Sequence, residues 1–200
     1  MKKNSGTKRY TANESTYGFE PNEFFKAQIT QLKPGHLLLP AEGEGRNALY
    51  AAKLGWKVTA YDFSEVARIK TLNQAMALGL TSIEYHVQDL SQIQLSANTF
   101  DAVGLIYSHL PEPVRRHLHQ QSVSSLKVGG NLILEAFSKT QTQYNSGGPK
   151  DPALLYSVAD LKADFSNLQI EVLEELKIEL KEGPFHSGPA SVVRLVATKI

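Results

Sequence analysis

The sequence predicts an α/β fold: a doubly wound, mainly parallel sheet that takes an antiparallel addition at one edge. Three observations carry this reading. Short apolar runs alternate with segments of helical spacing, a pattern that calls for crossover connections between parallel strands. A glycine-rich turn joins the first run to the helix after it. Two strand-like segments close the chain, linked by Glu182-Gly183-Pro184-Phe185-His186-Ser187-Gly188-Pro189, a connection suited to antiparallel neighbours.

The elements follow in order. After a polar, basic arm containing Tyr10, Tyr17 and Phe19, the residues Phe24, Phe25, Ala27, Ile29 and Leu32 predict a helix that Pro21 begins and Lys33-Pro34-Gly35 stops. Residues 36–40 carry Leu37-Leu38-Leu39, a continuous apolar run expected of a strand buried on both faces. Ala48, Leu49, Ala51, Ala52 and Leu54 predict a helix ended by Gly55, and residues 58–61 a second strand leading to Asp62. Ser64 caps the next predicted helix, with Val66, Ile69, Leu72 and Met76 at helical spacing and Gly79 as its stop. Strands are then expected at 83–87, 101–107 and 131–137, with a helix at 111–126 between the last two. The stretch 138–152, rich in Thr, Gln, Ser and Gly, reads as a long loop over one end of the sheet. Ser157 and Asp160 form a capping-box pattern for a short helix ending at Phe165, and strands follow at 169–180 and 190–198.

Composition narrows the function. The chain of 200 residues fits one compact domain, taken as 21–200 with 1–20 as an arm or lid. Lys plus Arg number 21 against 20 Asp plus Glu, so no strong field is available to hold a nucleic-acid backbone. Cysteine is absent, which excludes disulfides, thiolate zinc sites and a cysteine nucleophile. No apolar stretch resembles a signal peptide or is long enough to span a bilayer, so the expected location is cytoplasmic, with no membrane and no obligate protein partner. His117 and His119 stand two apart on a helix and do not share a face, so no metal site is expected there.

The chemistry concentrates in Ala41-Glu42-Gly43-Glu44-Gly45-Arg46-Asn47-Ala48, between the first strand and its helix. Glycines let a ligand approach the backbone, and a helix start offers free amides. Gly43-x-Gly45-x-x-Ala48 also fits a dinucleotide fingerprint, with Asp62 placed to hold a ribose. Charge separates the ligands. A pyrophosphate here would face Glu42 and Glu44, at up to about 4 kcal/mol per close like-charge pair at an effective dielectric near 20. A phosphate-free, cationic nucleoside such as S-adenosylmethionine meets no such penalty, and its carboxylate is expected at the helix start. Asp62 is then expected on the ribose hydroxyls and Asp89 on the adenine amino group, with Phe63 and Leu90 as apolar walls. The three strand ends meet in one crevice at the carboxyl edge of the sheet.

With these residues in place, the chain resembles class I S-adenosylmethionine-dependent methyltransferases, in the branch related to tellurite-resistance methyltransferases, over nearly its full length. The matching segments are Tyr17-Gly18-Phe19-Glu20-Pro21-Asn22, Gly43-Glu44-Gly45-Arg46-Asn47-Ala48, Thr59-Ala60-Tyr61-Asp62-Phe63-Ser64 and Ser108-His109-Leu110-Pro111, joined by Gly147-Gly148-Pro149-Lys150 and Val192-Val193-Arg194-Leu195. The resemblance implies a seven-stranded sheet with an antiparallel last strand. It also implies cofactor contacts at Gly43, Gly45, Arg46, Asn47, Asp62, Phe63, Asp89 and Leu90. Two departures stand out: Leu39 where the wider class often ends its first strand in an acid, and Ala41 in place of its first glycine. The cofactor's amino group is then expected to rely on backbone carbonyls or on Glu42.

Methyl transfer needs alignment and exclusion of water more than it needs a base. A thiolate or a chalcogen oxyanion, as the small-molecule acceptor, requires no deprotonation. His109 and His186 are the candidate bases or anion guides, Arg194 a candidate anion ligand, and Tyr107 a lining residue shared with the cofactor. Tyr17 and Phe19 on the arm, with Tyr144 and Lys150 on the long loop, are the candidate lid. Methylation of DNA-base amino groups is disfavoured because Tyr107-Ser108-His109-Leu110 stands where such enzymes carry Asn or Asp followed by Pro-Pro-aromatic. The rival readings are a non-catalytic sensor or scaffold that binds the same cofactor, and a nicotinamide-dependent oxidoreductase.

Overall fold

The computed structural model describes residues 18, 20–183 and 186–200. Their regular elements are α1 (Glu23–Ile29), β1 (His36–Pro40), α2 (Arg46–Lys53), β2 (Lys57–Asp62), α3 (Glu65–Ala77), β3 (Ile83–Val87), β4 (Phe100–Ile106), α4 (Glu112–Ser125), β5 (Leu126–Phe137), α5 (Val158–Asp164), β6 (Gln169–Lys181) and β7 (Ser187–Thr198). The sheet is seven-stranded in the order β3-β2-β1-β4-β5-β7-β6. Strands β1 to β5 pair in parallel, and β7 runs antiparallel to both β5 and β6, so β7 alone opposes the common direction. This is the mainly parallel, doubly wound α/β sheet that the alternating pattern and the resemblance imply.

The Leu37-Leu38-Leu39 run is apolar throughout because both faces of β1 are covered. Leu38 faces a core that includes Leu118 of α4 and Leu161 of α5. Leu37 and Leu39 face the other core, with Phe25 and Ile29 of α1 and Ala48 and Ala51 of α2. A two-residue period thus divides one strand between two layers of helices.

One buried ionic cluster ties α4 to α5. Asp164 accepts from Arg115 Nε at 3.0 Å and pairs with His119 Nδ1 at 2.8 Å, with all three side chains almost wholly buried. His117 turns elsewhere, to the carbonyl of Ile93 at 2.8 Å. At the free edge, β6 presents Glu171, Glu174, Glu175 and Lys177, charges that discourage pairing with another chain. Among the described residues, no helix is long and apolar enough to cross a membrane.

Most boundaries shift by a few residues from the sequence expectation, and three departures have a clear physical cause. Asn22, not Pro21, opens α1, because its Oδ1 accepts the Phe25 amide at 2.8 Å and satisfies a donor that proline cannot address. β5 starts at Leu126 rather than 131, since the end of the chain pairs with its glycines. Gly129 N–H donates to the Lys199 carbonyl at 2.7 Å, and Lys199 N–H to that of Gly130 at 2.9 Å. The expected open loop at 138–152 contains a 3-10 turn at Lys139–Gln143 anchored by buried Gln141. The Gln141 side-chain amide donates to Ser146 Oγ (3.0 Å) and the Gly147 carbonyl (3.1 Å), and its oxygen accepts Ser191 N–H (2.7 Å). The Ser157–Asp160 capping box forms as expected.

Candidate active site

The carboxyl ends of β1, β2 and β3 together hold the glycine-rich loop. Glu42 N–H donates to the Tyr61 carbonyl (3.1 Å), Gly43 N–H to Asp62 Oδ2 (3.1 Å), and the Tyr85 hydroxyl to the Gly43 carbonyl (2.6 Å). Gly45, at φ 79°, passes so close to α3 that a Cβ there would lie 2.2 Å from Thr71 Cγ2. Ala41 holds the left-handed conformation (φ 58°) without being glycine, at a cost of about 1 kcal/mol. The backbone thus keeps the glycine geometry of the resemblance although the residue has changed.

Two carboxyls lie under this loop. Glu42 is half-buried; its Oε1 accepts the Ala48 amide at 2.7 Å and its Oε2 faces Asn47 Nδ2 at 3.4 Å. The start of α2, expected to greet a ligand carboxylate, is therefore already occupied by the chain's own glutamate. Asp62 is buried, with Oδ1 accepting Ser64 N–H at 2.9 Å and Oδ2 accepting Gly43 N–H. Burial pushes Glu42 up to about 7 and Asp62 up to about 6, and the amide donors only partly offset it. Two carboxyls short of positive charge fit a cation and oppose a phosphate.

The remaining residues expected at the cofactor divide. Phe63 is half-buried beside Asp62, and Asp89 is exposed, capping the 3-10 turn Leu90–Gln92 through Ser91 N–H at 3.0 Å. Leu90 packs into a core. Glu44 forms an ion pair with Lys70 of α3 at 2.7 Å.

A polar network continues from the loop to the far strands. Asn47 links Glu42 to Asn22, whose backbone N–H donates to Asn47 Oδ1 at 2.9 Å. The Asn22 side-chain amide donates to Glu135 Oε1 of β5 (2.6 Å) and to Glu182 Oε1 (2.9 Å). Glu182 also accepts Arg46 Nη2 at 2.8 Å and lies 3.4 Å from His186 Nδ1. Burial pushes Glu182 up, but His186 and the Arg46 guanidinium hold it down to about 2.

The candidate bases are engaged. Tyr107, at φ 51° just beyond β4, donates its hydroxyl to Glu135 Oε1 at 2.9 Å. Burial and the nearby Glu135 and Glu182 raise its pKa well above the ordinary phenol value. His109 Nδ1 lies 2.8 Å from the Leu154 carbonyl and its Nε2 accepts Phe137 N–H at 3.2 Å, so the ring is a neutral Nδ1–H tautomer joining two segments. Burial lowers its pKa to about 4. This gives His109 a structural task in place of the base or anion guide expected of it. His186 packs edge-on against Tyr107 and Phe137, and burial lowers its pKa more than Glu182 raises it. Arg194 Nε donates to Glu135 Oε2 at 2.6 Å, and its guanidinium lies over the Phe24 ring. Its charge is therefore matched from within the chain, inside the sheet rather than at the edge.

Tyr17 and Phe19 of the expected lid, and Phe185 beside His186, lie outside the described residues. Reading the sequence did not single out Asn22, Glu135 or Glu182 for a role. Glu135 left a signal, a lone carboxylate in the apolar run Leu132-Ile133-Leu134-Glu135-Ala136-Phe137, whereas Glu182 left none.

The methyltransferase-domain family model matches residues 40–130, from the end of β1 into β5. No curated protein matches the chain significantly. Among solved structures, TehB from Haemophilus influenzae superimposes with a TM-score of 0.74 at 18% identity, covering 90% of this chain and 63% of that one. The chain thus spans under two thirds of TehB's length. A protein whose structure concerns conversion of a disulfide bond into a thioacetal group during echinomycin biosynthesis gives 0.72 at 19% identity, covering 96% and 88%. A SAM-dependent methyltransferase from Methanosarcina mazei gives 0.69 at 16% identity, covering 90% and 99%. A glycine loop on a buried aspartate, the sheet order and the matched domain converge: residues 40–130 match the methyltransferase-domain family, within a fold the whole chain shares with solved SAM-dependent methyltransferase structures.

Proposed function

We propose that the chain methylates a small soft nucleophile, a thiol or a chalcogen oxyanion, without a dedicated base. Bound S-adenosylmethionine supplies a methyl group already activated on a sulfonium. The chain's own residues supply the rest: Asp62 holds the ribose, Glu42 and the loop carbonyls face the cationic end, and Phe63 flanks the base. The observation that carries the acceptor class is the state of the crevice's proton carriers. Both His109 nitrogens are taken by backbone groups, and the Tyr107 proton is given to Glu135. An acceptor that attacks through an already available lone pair needs neither. The likeness to TehB and to a protein of disulfide-to-thioacetal conversion supports the same class.

Labelled cofactor incubated with separate pools of thiols, chalcogen oxyanions, alcohols and amines tests this. Label is expected in one or both of the first two pools; label confined to alcohols or amines, or cofactor binding with no transfer at all, would overturn it.

Cofactor affinity is expected to depend on pH. Glu42 and Asp62 sit at about 7 and about 6, above their unfolded values. Their contribution to the stability of the cofactor-free fold is therefore complete below about pH 4 and is lost as pH rises towards 7. A cationic ligand favours the ionised forms, so its binding releases protons. Affinity should rise by up to about tenfold between roughly pH 5.5 and 7.5. Calorimetry in buffers of different ionisation enthalpy would read the proton release, and affinity flat across that range would contradict it.

A further inference from the structure

Four buried or half-buried charges cancel in pairs where β5, β6 and β7 meet the start of α2: Glu135 with Arg194, and Glu182 with Arg46. Glu135 and Arg194 are direct cross-strand partners. The Glu135 side chain is 1% exposed, whereas Arg194 keeps 21% of its side-chain surface exposed. Besides Arg194, the Glu135 carboxylate receives the Asn22 side-chain amide and the Tyr107 hydroxyl. Three donors therefore converge on one carboxylate that the chain itself provides.

A guanidinium is the group best suited to grip an oxyanion, by paired charge-assisted hydrogen bonds. Here the strand partner has claimed Arg194. An oxyanion approaching it adds a negative charge to a balanced site, beside two buried carboxylates. Building on the methyl-transfer reading above, we infer that Glu135 is a specificity-determining residue. It screens Arg194 and sets the crevice for thiol acceptors rather than oxyanions. A thiol that has lost its proton to solvent carries one charge. Its sulfur lone pair forms the bond to the methyl carbon, the old bonding pair stays on the cofactor sulfur, and the two charges cancel. A selenite or tellurite oxyanion keeps oxygen charge through the transfer and needs a lasting cation, which Glu135 withholds.

The test is calorimetric binding of selenite to protein first loaded with S-adenosylhomocysteine. A missing heat for that first ligand would overturn the methyl-transfer reading, and the inference with it, before selenite is added. With it present, wild type is expected to bind selenite at least about tenfold more weakly than Glu135→Gln. Affinity for S-adenosylhomocysteine should stay within about threefold, which general damage to the site would not allow. The double variant Glu135→Gln/Arg194→Gln should lose the gain. Equal selenite binding in wild type and Glu135→Gln, or a gain that survives in the double variant, overturns the assignment. If Glu135→Gln does not fold, wild type decides alone: label transfer to 2-mercaptoethanol should exceed transfer to selenite in kcat/KM by at least about tenfold, and the reverse order overturns it.

Discussion

Asp62→Ala is expected to weaken S-adenosylmethionine binding by about 1.5 to 3 kcal/mol, the range for losing a hydrogen bond to a charged acceptor. The carboxylate does two things at once. It accepts the Gly43 and Ser64 amides, which fixes the glycine loop and the entry to α3, and its remaining lone pairs are left for the ribose. Asp62→Asn separates these tasks, because one oxygen is kept while an amide N–H replaces the other against a backbone donor. Its affinity should fall between wild type and Asp62→Ala. Calorimetric titration on folded protein reads the effect, and an unchanged dissociation constant would remove Asp62 from the cofactor site.

The largest stability effect is expected far from the crevice. Asp164→Ala strands Arg115 and His119 in the packing between α4 and α5, where their side chains are 7% and 1% exposed. Removing one partner of a buried ionic cluster costs about 3 to 5 kcal/mol, because the abandoned charge has no solvent to return to. For a chain of this size that corresponds to a Tm lower by about 6 to 20 °C. Chemical denaturation would measure it, and a loss below about 1 kcal/mol would show that the cluster relaxes onto other partners. Cofactor affinity of the folded fraction should not change, since α4 and α5 pack on the sheet face opposite α1 and α2.

The alternation of strands and helices was legible because the central strands β1 and β4 are buried on both faces and the helices on one, so burial writes most of the pattern. β1 and β3 match their expected limits residue for residue. The glycine loop was legible for a related reason: a left-handed backbone and the approach of Thr71 leave few alternatives at Gly45, and the acidic residues of the loop stand out beside it. Even the altered Ala41 keeps the same turn. The roles of the histidines were not legible. His109 reads as a candidate base from its place after β4, yet the Leu154 carbonyl and Phe137 amide that occupy its ring come from 45 and 28 residues away. Arg194 reads as an anion ligand until the β5–β7 register sets Glu135 directly opposite it.

The sequence by itself determined the layered α/β architecture and the acidic glycine loop, because burial period, backbone conformation and local charge act within a few residues. Tertiary structure alone decided which polar side chains neutralise one another: Asn22 with Glu135 and Glu182, Arg46 with Glu182, Arg194 with Glu135. A buried charge is governed by whatever group lies within about 4 Å of it, and in this chain those neighbours are brought together by strand register and crossover connections rather than by proximity along the backbone.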